Sequence, residues 1–165
     1  PKGWDHKYTY DNIGYNLRAT DMQAAVMCAQ ADRIPTIVRR RRENFQFLYH
    51  RLKSLEDFFI LPETHPLADP SPYAFPLTIR SGSGLRRDKI VAHLEAANIE
   101  TRPIFGGNML RQPGFKNIRH RISGSLENTD YIMENAFFVG VHPGLTEEML
   151  DYVAEKIREA ARRYS

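Results

Sequence analysis

The sequence carries a single cysteine, Cys28, and no apolar run near the ~20 residues that a membrane span needs. One thiol excludes an internal disulfide and a thiolate metal cluster built from this chain alone. Placed on the apolar side of a helical run, Cys28 fits a reducing, cytoplasmic setting. The first residues do not form a charged-then-apolar signal segment. Nor is there a strong excess of charge: 23 basic against 20 acidic residues leave +3, short of a strongly basic nucleic-acid binder. The six histidines are scattered, and His65, His93, His120 and His142 form no helical pair with a carboxylate between them, so no metal site is expected. Ser123 and Ser125 lie near glycine without a nucleophile-elbow pattern. Internal repeats and low-complexity tracts are also lacking. The chain does not begin with Met, and the strand-like alternation of Tyr8, Tyr10 and Ile13 has no earlier element to pair with, so a fragment of a larger protein is expected.

What is present is enough for a core: 165 residues with 42% hydrophobic content. Thr20 or Asp21 can cap a helix beginning Met22-Gln23-Ala24-Ala25. A long amphipathic helix follows over 34–55, with Pro35 at a kink or in a new first turn and apolar residues at Ile34, Ile37, Val38, Phe45, Leu48, Leu52 and Leu55. Arg41 interrupts that stripe, so it is either paired or functional. The run Arg39 to Arg42 resembles a nucleic-acid patch, but at about 100° per residue four successive side chains spread around the helix, which favours a solvated helix with one inward arginine. Residues 61–72 hold four prolines and read as a surface crossover.

Tyr73, Phe75, Leu77 and Ile79 then alternate as a half-buried strand, with Pro76 requiring an edge or irregular position. After the turn Ser81-Gly82-Ser83-Gly84, a helix over 86–97 is expected to bury Ile90, Val91 and Leu94, ending near Asn98, with a strand at 99–102. A short helix from about Thr129, an apolar strand from Phe137 to Val141 and a helix from Thr146 complete the chain. Thr146 is the expected cap of the last helix, whose buried face is expected to be Leu150, Val153, Ile157 and Ala161.

Two polar constellations stand out from this scaffold. In Gly14-Tyr15-Asn16-Leu17-Arg18, directly ahead of the first helix, Asn16 and Arg18 supply donors suited to an oxyanion such as a phosphate, although a plain loop-to-helix cap would use similar residues. In residues 101–113, Arg102 leaves a strand end and is followed by Gly106, Gly107 and Asn108, a composition that suits either a loop closing over a polar or phosphorylated ligand or a surface hairpin.

The block Gly14-Tyr15-Asn16-Leu17-Arg18 with Asp21-Met22-Gln23-Ala24-Ala25, and Arg40-Arg41-Arg42 on the next helix, resembles the pyridoxal-phosphate-dependent sugar aminotransferase and dehydrase family named after DegT, DnrJ and StrS. Gln112-Pro113-Gly114-Phe115 and Val141-His142-Pro143-Gly144-Leu145-Thr146-Glu147-Glu148 resemble further blocks of that family. Trp4-Asp5-His6-Lys7-Tyr8, Phe105-Gly106-Gly107-Asn108 with Arg111-Gln112-Pro113, and Asn128-Thr129-Asp130 are similar to its CDP-4-keto-6-deoxyglucose 3-dehydrase branch, which serves lipopolysaccharide O-antigen synthesis.

The resemblance implies an α+β fold, the C-terminal small domain of a fold type I pyridoxal-phosphate-dependent transferase: a small, mostly antiparallel sheet packed with helices. Residues 1–31 would be a remnant of the large cofactor-binding domain, and 32–165 the small domain with its long linking helix. It further implies a cytoplasmic homodimer with shared active sites, binding neither nucleic acid nor membrane, in which Asn16 and Arg18 reach the phosphate of the neighbouring subunit's pyridoxal or pyridoxamine phosphate. Arg102 and Asn108 would face the nucleotide sugar. For that branch an iron–sulfur cluster and a partner reductase are implied as well, but the cluster ligands and the general base would lie outside this chain, which alone is expected to be inactive and supplies no catalytic acid or base. A sugar aminotransferase of the same family is the alternative, and a non-enzymatic binding module with a basic helix the remote one.

Overall fold

A computed structural model of the chain describes residues 14, 15 and 17–165. The expected strand around Tyr8 and Tyr10, the Trp4 to Tyr8 block and Asn16 lie outside the described residues. Contacts divide the chain into two units, Pro1–Ile34 and Pro35–Ser165.

In the first unit, α1 spans Asp21–Ala31. Thr20 is its N-cap: the Thr20 hydroxyl accepts from the Gln23 amide at 3.3 Å, and the Gln23 side chain accepts from the Thr20 amide at 2.9 Å. This reciprocal pair satisfies two amides that a helix start otherwise leaves without partners. No residue of α1 is buried, and Met22, Val26 and Met27 are among its exposed apolar side chains. Cys28, read as lying on the apolar side of this helix, is exposed as well. The helix signal is local and holds.

The second unit is an antiparallel sheet backed by helices. Helix α2 spans Ile34–Leu52, with Pro35 in its first turn, where a missing amide hydrogen costs nothing. It ends three residues earlier than the apolar stripe suggests, and 53–55 tighten into a 3₁₀ turn. Strand β1 (Phe59–Ile60) is followed by the exposed proline-rich crossover and then by β2 (Ala74–Ile79). Helix α3 (Arg87–Ala96), β3 (Thr101–Pro103), α4 (Glu127–Asn135), β4 (Ala136–Gly140) and α5 (Glu147–Tyr164) complete it. The sheet order is β1-β2-β4-β3, every pair antiparallel. β2 and β3 are thus joined through α3 with β4 inserted between them, a split β-α-β arrangement.

Alternation in β2 puts Phe75, Leu77 and Ile79 inward, and β4 adds Phe137 and Val139. Against them pack Phe45, Leu48 and Leu52 of α2, Ile90 and Leu94 of α3, and Leu150, Ala154, Ile157, Ala160 and Ala161 of α5. Phe45 and Phe75 have ring centroids 5.0 Å apart, and Phe59 meets Phe137 edge-on at 6.5 Å. Each fully buried Leu, Ile or Phe contributes about 1.5–3 kcal/mol by leaving water. Val91 and Val153, expected in the core, are only half-buried and pack against its edge.

Pro76 pairs with Phe138, yet β1 reaches only Ile79 and Thr78. One side of β2 is therefore unpaired at Pro76, the edge position that proline requires. Asn98, at φ 59, ends α3 in the left-handed conformation that asparagine tolerates.

Candidate functional site

Thr101 at the start of β3 is held from α3. Its amide and its hydroxyl both donate to Glu95 Oε1, at 2.6 and 2.7 Å, and these bonds, the hydroxyl's foremost, keep the Glu95 carboxyl below its ordinary pKa. The next residue, Arg102, is exposed and pairs with Glu100, its Nε lying 2.8 Å from Glu100 Oε1. It also lines a cleft of about 640 Å³ whose apolar wall includes Tyr73, Phe138, Leu145 and Met149. Tyr73 and Phe138 meet edge-on at 5.9 Å. Arg102 thus pairs with a carboxylate at the edge of this cleft.

Beyond β3 the chain turns sharply. The Phe105 amide donates to the Pro103 carbonyl at 2.8 Å and the Gly107 amide to that of Ile104 at 3.1 Å. Asn108 does not present a free amide. It is 4% exposed, its Nδ2 donates to Asp130 Oδ1 at 2.6 Å, and its Oδ1 accepts from the Leu110 amide at 3.0 Å. Both ends of the side chain are committed to the loop, so Asn108 shapes it. Arg102 and Asn108, expected to face one ligand together, do not line the same cleft.

Three further residues complete this frame, none of them singled out in the sequence as a site residue. Arg111 forks onto Asp130, with contacts at 3.2 and 2.8 Å. The Arg111 guanidinium, and after it the Asn108 amide, hold the Asp130 carboxyl below the usual carboxylate range. Gln112 Nε2 donates to the Gly106 carbonyl at 2.6 Å. Motif blocks at 105–113 and 128–130 are both visible in the sequence, but pairs spanning 19 and 22 residues carry no local period that would join them.

The junction from β4 to α5 is fixed by α2. Asn44 Nδ2 donates to the His142 carbonyl at 2.7 Å, while Arg40 donates to the carbonyls of Pro143 and Leu145 at 3.4 and 2.9 Å. Arg39 and Arg40 also pair with Glu43, and Arg42 with Asp69. Arg39, Arg40 and Arg42 are therefore engaged within the fold, with Arg40 and Arg42 reaching distant backbone carbonyls. Arg41 is half-buried, and its Nε finds no hydrogen-bond partner among the described residues.

In the first unit Arg18 is exposed, three residues ahead of α1. The amides of Thr20 and Gln23 at the helix start are engaged with each other's side chains.

An antiparallel four-stranded sheet with a split β-α-β unit and helical backing is the α+β small domain of pyridoxal-phosphate-dependent aminotransferase structures. Residues 2–158 match the DegT/DnrJ/EryC1/StrS aminotransferase family, and the chain belongs to it. It is 48% identical over 159 residues to the lipopolysaccharide biosynthesis protein RfbH of Salmonella typhimurium, covering 96% of this chain and 36% of that protein. It is 42% identical over all 165 residues to dTDP-4-dehydro-2,6-dideoxy-D-glucose 3-dehydratase of Saccharopolyspora spinosa, again 36% of that protein. Escherichia coli GDP-4-keto-6-deoxy-D-mannose-3-dehydratase with bound hydrated PLP superposes with a TM-score of 0.82 at 26% identity, over 92% of this chain and 38% of that one. The chain thus spans little more than a third of the relatives it matches. No helix among the described residues is long and apolar enough to cross a membrane.

Proposed function

We propose that the chain is the C-terminal part of a pyridoxal- or pyridoxamine-phosphate-dependent nucleotide-sugar 3-dehydrase that makes deoxysugars for lipopolysaccharide O-antigen. The observation that carries this reading is the identity above 40%, along nearly the whole chain, to both a lipopolysaccharide biosynthesis protein and a sugar 3-dehydratase. In this reading residues 1–31 belong to the large cofactor-binding domain and 32–165 form the small domain. The protein is a cytoplasmic homodimer with shared active sites, and a reductase partner and an iron–sulfur cluster belong to parts outside this chain.

The residues present fit one portion of the cofactor. Arg18 offers an exposed guanidinium, and with Asn16 it supplies the charged and amide donors that a phosphate takes. When bound, the cofactor supplies the electron sink for loss of the sugar hydroxyl. Arg102 faces the substrate pyrophosphate, released from Glu100 as the anion approaches, and Asn108 contributes by holding the loop that follows. No general base is assigned to this chain.

The test uses the full-length protein loaded with pyridoxamine phosphate and supplied with a nucleotide-linked 4-keto-6-deoxyhexose. A 3-deoxy product, lighter by one oxygen atom because hydrogen replaces the lost hydroxyl at the expense of the pyridoxamine form or of a supplied reductant, supports the dehydrase. A 4-amino sugar formed at the expense of glutamate identifies the aminotransferase, the second reading, which the family's name favours. Nucleic-acid binding with a steep salt dependence, and neither reaction, would identify a binding module.

A further inference from the structure

Phe105 stands at φ 47, in the left-handed region that a bulky side chain avoids, and it is 78% exposed. The strain gains nothing within this domain, since the ring is not buried. A glycine would relieve it, yet the glycines follow at 106 and 107. The surroundings force the conformation from three sides: Gln112 holds the Gly106 carbonyl, Gly107 lies against Met133 so closely that a Cβ would come within 2.4 Å of its Cγ, and Asn108 is tied to Asp130. Strained residues over-determined in this way cluster at ligand clamps. A second, independent feature is the charge of the segment bearing the turn. From Thr101 to Leu126 there is no Asp or Glu, while Arg102, Arg111, Lys116, Arg119 and Arg121 are all basic. A rigid, solvent-facing aromatic ring on an arm with no acidic residue suits a ligand that joins a planar ring to phosphates.

We propose that Phe105 is a specificity contact for the nucleobase of the nucleotide sugar, presented by a basic arm that takes the adjoining phosphates. This rests on the nucleotide-sugar reading above and extends it to a residue and a part of the substrate. The ring supplies a stacking face, Arg102 and Arg111 border the turn, and the Asn108–Asp130–Arg111 frame keeps the ring in place before the ligand arrives, so little ordering cost falls on binding.

The experiment is calorimetric titration of the full-length protein with CDP, dTDP, GDP and inorganic pyrophosphate, for wild type, F105G, F105N and F105Y. Both Gly and Asn tolerate positive φ, so the ringless variants are expected to melt no lower than wild type. They are expected to bind the preferred nucleoside diphosphate roughly 10- to 100-fold more weakly, with pyrophosphate binding unchanged, and F105Y is expected to restore affinity. In steady state KM for the nucleotide sugar rises by the same factor while kcat holds. Unchanged nucleoside diphosphate affinity in F105G and F105N overturns the proposal, and so does an equal loss for pyrophosphate or a failure of F105Y to rescue. If nucleoside diphosphate binding holds while KM for the whole nucleotide sugar rises, the ring meets the sugar and the nucleobase assignment is wrong. A wild-type protein that binds none of the three nucleoside diphosphates removes the nucleotide-sugar reading itself, an outcome distinct from loss of the Phe105 effect alone.

Discussion

The side-chain amide of Asn44, in the middle of α2, donates to the backbone carbonyl of His142 at 2.7 Å, and Asn44 is 2% exposed. A buried amide at this depth is tolerated because it has a partner, and it ties the long helix to the turn that launches α5. Asn44→Leu removes the bond and leaves the carbonyl facing an apolar group, at an expected cost of about 1–3 kcal/mol. Arg40→Met removes two more bonds to the same junction, but from a less buried side chain, and is expected to cost less. Urea unfolding of the 165-residue chain checks both; equal stability of N44L and wild type would mean that the bond does not hold the junction.

Gly107 is fixed by space as well as by conformation. Its φ is +61, and an added Cβ would lie 2.4 Å from Met133 Cγ and 2.7 Å from Met133 Cβ. Gly107→Ala is expected to cost about 2–4 kcal/mol, combining left-handed strain with overpacking. Met133→Ala removes the Cγ and Sδ contacts but not the Cβ contact, so the double variant should recover part of the loss, with a coupling of at least about 0.5 kcal/mol. Strict additivity in the unfolding cycle would refute the steric part.

Asp130 gives the loop frame a pH dependence with a definite sign. Its folded-state pKa is held below the ordinary value by Arg111 first and Asn108 second. A carboxyl depressed on folding stabilises the frame above its unfolded pKa, and that contribution fades as pH falls through the folded value. Carboxyl titration by NMR should therefore give Asp130 a low value in wild type and move it upward in Arg111→Gln, while a change at neutral pH should leave the Asn108–Asp130 contact intact. An Asp130 titration unaffected by R111Q would mean that the observed fork is not maintained in solution.

The elements most legible in the sequence are those whose signals are local. Thr146 caps α5 through the Met149 amide, Asn98 closes α3, and alternation places Phe75, Leu77 and Ile79 inward, all as their residue types require. Arg41 is legible as an irregularity, but not that its neighbours Arg40 and Arg42 are the ones that bond carbonyls distant in the chain. Asn108 illustrates the same limit at the site. Its residue type suits a ligand amide, and only the return of α4, carrying Asp130, turns it into a loop brace. Composition likewise marks α1 as a helix with apolar residues but not that Met22, Val26 and Met27 stand exposed.

The Gly14 to Arg18 block yields the prediction that bears most directly on cofactor binding. Arg18 is exposed ahead of a helix whose start is already capped by Thr20 and Gln23. If Arg18 and Asn16 hold a cofactor phosphate, Asn16→Ala with Arg18→Ala removes two hydrogen bonds to a charged acceptor, weakening the cofactor by roughly 2–4 kcal/mol. Gel filtration of the full-length variant should then strip cofactor that the wild type retains, read from its visible absorbance, while the melting temperature of the cofactor-free protein stays near that of cofactor-free wild type. Excess cofactor should restore the absorbance, because the rest of its site is untouched. Retention equal to wild type would remove both residues from the phosphate site, whereas a large drop in the cofactor-free melting temperature would assign them to the fold instead.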